Sequence, residues 1–379
     1  MRVILAGLMA VALGAPARAD IALSSNDAHT VLDNGAQVAP GTATPDTLTI
    51  LDLANYPPVV LGTIDIPGSV VGPPMAVAIA RDETFAIVTS ATKADPAGPA
   101  GISPDDRVTV VDLMAKPPAV MQTLHAGAGA TTVRLSPDGT LALVANRFAG
   151  TVSVFTVKDR RLTPTGTIML DPKAMPSGIA FTKDGKAALV TRNGDNMVQV
   201  LTIEGTTVTP EKRPITTGVA PYTIDVNADG TLAAVGNMGR GDGDVDTVSL
   251  IDLTATPFRT VQTTTVGRSP EGVKWSPDGQ FLAVGAQNGT TKPAGNPFLE
   301  EKGRLIMFAL QDKQLHQVAE APIGKWSQGI AFSRDGRTVL VQNMVERTIQ
   351  VFRWESSKLW AGTPIDIAAG PAAIMTSWP

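Results

Sequence analysis

Cysteine is missing from all 379 residues. Disulfides, thiolate nucleophiles and Cys-ligated metals are therefore excluded, and stability must come from packing. Histidine is scarce: His29, His125 and His316 lie in distant segments and none recurs in a pattern, so no histidine metal cluster or general base is expected from them. The formal net charge of −4 is small for this length and no lysine and arginine run stands out, which gives no sign of a general nucleic-acid surface. Long helical periodicity is also lacking. So are a G-x-S-x-G elbow, a zinc-protease helix and a phosphate-binding glycine loop.

Apolar runs are short except at the start, where Met1-Arg2 precedes the stretch 3–14 and then Ala17-Arg18-Ala19. That pattern reads as an export signal of residues 1–19 cleaved before Asp20, leaving no membrane span in the mature chain. A periplasmic or secreted protein is expected.

What the chain does contain is 36 glycines and 29 prolines among many Val and Thr, the composition of many short strands broken by turns. The stretch Ser136-Pro137-Asp138-Gly139-Thr140 followed by 141–147 and 151–155 reads as a tight turn, a strand, a loop and a second strand. Taking the turn aspartate as a marker gives Asp27, Asp82, Asp138, Asp184, Asp229, Asp278 and Asp335, with spacings of 55, 56, 46, 45, 49 and 57 residues. Such periods suit four-stranded propeller blades. The fold expected is all-β, a single seven-bladed β-propeller over residues 20–379.

Six inner strands are expected at 75–80, 132–136, 178–182, 222–226, 272–276 and 329–333. The seventh is expected from the C-terminal stretch 370–377, closing the ring by pairing the two ends of the chain. Third strands are expected at 47–53, 107–113, 151–157, 197–203, 247–253, 304–310 and 348–354.

Loop length varies almost entirely on one face of the disc. Residues 34–46, 90–106, 237–246 and 286–302 form long loops, against short ones at 146–150, 192–196 and 343–347. An elaborated face on a repeat scaffold marks the binding side. The candidate residues at the channel mouth there are Asn146, Arg147, Arg192, Tyr222, Asn237, Glu271, Gln328 and Asn343. Arg147 and Arg192, read as equivalent positions of adjacent blades, suggest joint binding of a carboxylate or phosphate. The recurring Asn146, Asn237 and Asn343 also suit plain loop-satisfying roles. Met75, Met238 and Met344 would fill gaps at an apolar mouth. Trp275, Trp326, Trp354, Trp360 and Trp378 are expected to pack near the ring closure.

No cofactor is expected. The weak calcium candidate is the loop carrying Asp242, Asp244 and Asp246, where alternate carboxylates suit a hard cation but Leu253 stands where an EF-hand loop has its glutamate.

Leu143-Val144-Ala145-Asn146-Arg147 followed by Thr151-Val152-Ser153-Val154-Phe155 resembles a repeat of the YVTN-type β-propellers, the group that includes lactonase-like propellers. The resemblance implies two functions to be weighed. One is a binding or interaction scaffold, a monomer taking a small molecule, peptide or partner protein on its looped face. The alternative is a lactonase-like hydrolase acting on a small cyclic ester, with Arg, His and Glu side chains near the channel. Against the lactonase pattern, Phe148-Ala149-Gly150 lacks the His and Asp often found there, and Ser177-Gly178 stands where Arg and His would be expected.

Overall fold

The structure is a computed structural model, described here for residues 20–42 and 44–377. The proposed signal segment and Trp378 lie outside the described residues. Seven antiparallel sheets follow one another around a channel, each with strands in the order inner, second, third and outer; in blades 4 and 7 the outer position is shared by two segments, the second being Ile215–Thr216 and Ile365–Asp366. In blade 3 these are Ala130–Leu135, Leu141–Asn146, Thr151–Lys158 and Arg161–Met169. Among the described residues no helix is long and apolar enough to cross a membrane.

The aspartate turn joins the inner strand of a blade to its second strand for a local reason. Asp138 accepts the Ser136 hydroxyl at 2.6 Å and the Thr140 amide at 3.0 Å, while Gly139 takes φ 72°. The Ser136 hydroxyl in turn receives the Leu141 amide, so one side chain starts the second strand and another ends the first. These bonds, the Ser136 one foremost, hold the Asp138 carboxyl below the usual carboxylate range. Asp278 and Asp335 repeat the arrangement with Ser276 and Ser333.

Strand centres alternate little in burial because both faces of a blade are covered. One apolar cluster fills each gap between neighbouring blades; Leu141, Leu143, Val152 and Val154 of blade 3, for example, meet Ile179, Val190 and Leu201 of blade 4. Five of the seven gaps lie between blades made from one stretch of chain each; the other two flank blade 1.

Blade 1 is composite, as the ends of the sequence predict. Its inner strand is Gly370–Thr376 and its second is Ile21–Asp27, paired from Ala22↔Thr376 to Asp27↔Gly370. The adjoining gap to blade 7 is filled by Ala22, Leu51, Leu340, Val351 and Ile374. Here the phase of the first repeat needs correction. Asp27 is the last residue of a second strand, not a turn marker, and the turn position falls where the two chain ends meet. Asn26, not noted in the sequence, takes the repeat position of Asn146.

The tryptophans are also placed differently from expectation. Trp275 packs between blades 5 and 6 and Trp354 between blades 6 and 7, edge-on to Phe281 at 5.2 Å. Trp360 is exposed, and Trp326 belongs to a small cluster at the channel mouth with Val70, Met344 and Ala372. None of these four fills the closing gap, because that gap is too well filled by aliphatic residues of strands already in register.

Candidate functional site

Two repeat positions aim side chains at the channel. The first is created by a bulge at the head of the inner strands, where the ladder slips between residues 130 and 132, 176 and 179, 221 and 224, 270 and 272, and 327 and 330. An extra residue in one strand re-aims its side chain, and the residues so placed are Thr131, Ser177, Tyr222, Glu271 and Gln328. The second position lies at the end of the second strand in blade 1, Asp27, and directly after it in the others: Ser90, Arg147, Asn193, Met238, Gln287 and Met344.

Arg147, Tyr222 and Glu271 are brought together in a cavity of about 420 Å³ with Met238, Gln287 and Lys292. The Arg147 guanidinium lies over the Tyr222 ring at 5.4 Å, donates to Asn193 Oδ1 at 2.8 Å and donates to Ser177 Oγ. Ser177 and Arg147, the two places where the sequence departs from the lactonase pattern or meets it, are thus direct partners. Glu271 is 4% exposed and accepts the Gln287 side-chain amide. Burial pushes the Glu271 carboxyl up to about 8, against the pull of Arg147. The Tyr222 hydroxyl is pushed well above its ordinary value, first by burial and then by the charge of Glu271.

The long loops do not merely surround this cavity; they interlock above it. The loop after the second strand of blade 1 forms a hairpin, Val31–Asp33 with Ala36–Val38. Asn34 Oδ1 at its tip accepts the Ala294 amide of the blade 6 loop at 2.7 Å. A Cβ on Gly35, which has φ 85°, would stand 2.8 Å from Pro293 N, so only glycine fits this approach. On one side the Ala39 amide donates to Ala100 O of the blade 2 loop, and on the other Lys292 donates to Gly241 O of the blade 5 loop. Blades 1, 2, 5 and 6 therefore roof the channel, and the short loops of blades 3 and 4 leave the Arg147 side as the way in.

The other candidate residues are occupied elsewhere. Asn146 donates to Thr151 Oγ1 and Ser153 Oγ at 2.9 Å each, Asn237 to Thr247 and Ser249, and Asn343 to Thr348 and Gln350. They tie second strands to third strands. Arg192 shares this Asn position and is not equivalent to Arg147, since Pro176 pairs with Arg192 as Ala130 pairs with Asn146. It pairs with Asp195 and donates to Gln199, so the expected two-arginine clamp is not assembled. Gln328 is fully buried beside Trp326, donating to its carbonyl at 3.4 Å, and its Oε1 has no partner among the described residues.

Of the acidic loop, Asp246 holds the Ser269 amide at 2.7 Å while Asp242 and Asp244 bond their own loop backbone. Burial lifts Asp246 to about 6. The group of possible ligand atoms that does converge within 4.8 Å is a different one: Asp27, His29 and Asp46. This corrects the sequence reading of His29, which lies past the second strand of blade 1. Its Nδ1 is 2.9 Å from Asp46 Oδ1 and 3.2 Å from Asp27 Oδ1, and its Nε2 is 3.1 Å from Thr92 Oγ1 of the blade 2 loop. The two carboxylates also accept the amides of Ala28, His29, Thr30, Gly68 and Val70. With their lone pairs so engaged, the trio organises the foot of the roof.

Burial pushes Asp27 up to about 6, and the bond to Asp46 raises His29 against the effect of burial. Both shifts mean that the folded loop holds protons more tightly, so its stability is complete at low pH and falls as pH rises through these values. Amide exchange at residues 36–38, corrected for intrinsic rate, is expected to quicken between pH 5 and pH 8 in the native protein. Asp27→Asn should flatten most of that dependence; an unchanged slope would refute the clamp.

In the comparisons with known proteins, the family "Lactonase, 7-bladed beta-propeller" matches residues 108–213, a span that includes Arg147. No protein of curated function matches the sequence. Among solved structures, a protein of Bacteroides uniformis described as a candidate 6-phosphogluconolactonase superposes with TM-score 0.73 at 17% identity, covering 95% of this chain and 100% of its own. The periplasmic gluconolactonase of Pseudomonas aeruginosa gives 0.67 at 18% identity, covering 94% and 98%. Hydrazine synthase of Kuenenia stuttgartiensis gives 0.62 at 16% identity, covering 83% and 92%. At such identities the likeness is one of fold, and one fold hosts many chemistries. The chain is a seven-bladed β-propeller that resembles the lactonase-like propellers.

Proposed function

We propose that the protein is a lactonase-like hydrolase of a small cyclic ester, working in the roofed cavity. The observation that supports this most is Glu271, a buried carboxyl with its pKa raised to about 8 in the same cavity as Arg147. A base titrating near working pH is well matched to proton transfer. In the proposed step the Glu271 carboxylate takes a proton from water as the water oxygen bonds to the ester carbonyl carbon. Negative charge then develops on the carbonyl oxygen, where Arg147 and Lys292 are the available cations. Collapse breaks the ring C–O bond, and the leaving alkoxide takes the proton back from Glu271, giving the open hydroxy acid.

The roof limits the substrate to a small molecule, and the likeness to gluconolactonases favours a polyhydroxylated lactone. Export is part of the proposal, resting on the signal-like residues 1–19 and on the periplasmic gluconolactonase among the structural neighbours. A second reading, binding without turnover, is favoured by one observation: among the described residues no histidine lines the cavity.

A panel of five- and six-membered lactones, with spontaneous hydrolysis subtracted, separates the two. Turnover of at least one polyhydroxy lactone is expected, and Arg147→Ala should lower kcat/KM by about 100-fold, as losing one stabiliser of an oxyanion does. Thermal shifts with members of the panel but no turnover would favour the binding reading.

A further inference from the structure

The opposite mouth of the channel, on the face of the aspartate turns, holds a second cavity of about 200 Å³. Its walls are largely apolar, with Ile79, Ala180, Phe181, Val226 and Met375 among them. Its charges are one-sided: Arg81, Arg134, Lys183 and Lys274 line it against the single carboxylate of Asp225. The excess is notable in a chain of net charge −4. The turn acids Asp138, Asp184 and Asp229 keep their charge but are not among the lining residues; they bond the hydroxyls and amides of their own turns, and Asp229 offsets Lys183 in part.

Arg134 is the centre of this site. Its Nη1 donates to three carbonyls, Met75 and Val77 at 3.1 Å and Val133 at 2.8 Å, which fixes the guanidinium across the channel. Its Nε and Nη2 have no partner among the described residues, on a residue that lines the cavity. Lys274 is held 3.2 Å from Asp225, which also accepts the Trp275 amide, so that pair is largely spent on each other. Arg81 and Lys183 stand exposed at the rim with no salt bridge among the described residues, Lys183 being near Asp229. A preset guanidinium edge with free donors is suited to two oxygens of one anion. A mostly apolar cavity with a few converging polar groups is the usual form of a small-molecule site.

We propose that this mouth binds a small organic carboxylate whose apolar body is one ring or a short chain, with its carboxylate on Arg134. The size agrees, since a dry cavity of about 150 Å³ already takes up benzene. The buried charge of Arg134, whose pKa burial pulls down to about 10, has only Asp225 acting against that pull, and Asp225 is already paired with Lys274, so a bound carboxylate supplies a second counter-ion. The site is separate from the roofed cavity and does not rest on the activity proposed for it.

The test is calorimetric titration of the full-length protein with benzoate and with benzyl alcohol, its neutral counterpart of similar size. Benzoate is expected to bind one to one and at least tenfold more tightly than the alcohol. Arg134→Gln should remove that preference, and Arg81→Ala with Lys183→Ala should weaken benzoate about threefold or more, whereas Glu271→Gln leaves it unchanged. Benzoate binding no tighter than the alcohol, or unchanged affinity in a folded Arg134→Gln variant, would overturn the proposal. If Arg134→Gln does not fold, the exposed double variant decides: full benzoate affinity there sinks it.

Discussion

Glu271→Gln is expected to lower kcat for lactone hydrolysis by about 10²- to 10⁴-fold, the span associated with loss of a positioned general base. KM should change little, because the amide keeps the size of the carboxyl and the hydrogen-bonding reach toward Gln287. For the proposed hydrolysis, kcat/KM of the native protein should rise about tenfold per pH unit and level off near pH 8, following the carboxylate form. The same variant makes a stability test independent of any substrate. The folded pKa of about 8 lies above the ordinary 4.5, so the contribution of Glu271 to stability is complete below pH 4.5 and is lost as pH rises through 8. A shift of that size corresponds to something on the order of 5 kcal/mol. Native protein and Glu271→Gln should therefore melt together near pH 4.5, and the variant should be the more stable at pH 9. Full activity in the variant, or melting curves that do not diverge with pH, would remove Glu271 from the role given to it.

Removal of residues 370–379 should abolish cooperative unfolding or send the protein into aggregates. The deletion strips the whole inner strand of blade 1 and bares the hydrogen-bonding edge of Ile21–Asp27. It also uncovers Leu23 on one side of the blade and Ala331 and Leu340 on the other, since Ala373 packs in one neighbouring gap and Ile374 in the other. Losing a single buried Ile to Ala typically costs about 2–5 kcal/mol, and here a strand is lost, which exceeds the usual margin of a folded domain. A soluble truncation with the native melting temperature would mean that the ring does not depend on its closing strand. A milder substitution, Ile374→Ala, should lower stability by about 2–5 kcal/mol with folding retained.

Local chemistry was legible in the sequence, and chemistry that depends on distant contacts was not. The Asp-Gly turns, the third strands and the composite blade follow from residues close in sequence and from a repeat that recurs about every 50 positions. Tyr222 and Glu271 were legible because the head of an inner strand has a fixed place in the repeat. The phase slipped by one residue at Arg192 and by several at Asp27, because an alignment of short motifs does not see which residues pair across a ladder. Gln287, Lys292 and Ser177 carry no local signal: each matters only through a partner 16, 51 or 30 residues away. The trio of Asp27, His29 and Asp46 was hidden for the same reason, since its last two members lie 17 positions apart. Comparing the residue after each second strand, rather than the last one within it, would have set Arg147 beside Gln287 and Met238 at the channel mouth.

The composite blade also sets an order of events. Its second strand is made among the first residues of the described chain and its inner strand among the last, more than 340 residues later. Contacts between such distant segments form late, because the chain entropy of closing so large a loop has to be overcome first. Blades 2 to 7 can each assemble as their own stretch of chain appears, whereas the ring itself is completed only after residue 376 exists. Until then Ile21–Asp27 has one side unpaired, and the blades already formed remain an open arc. The joint that finishes the protein is by the same logic the place where it would first come apart.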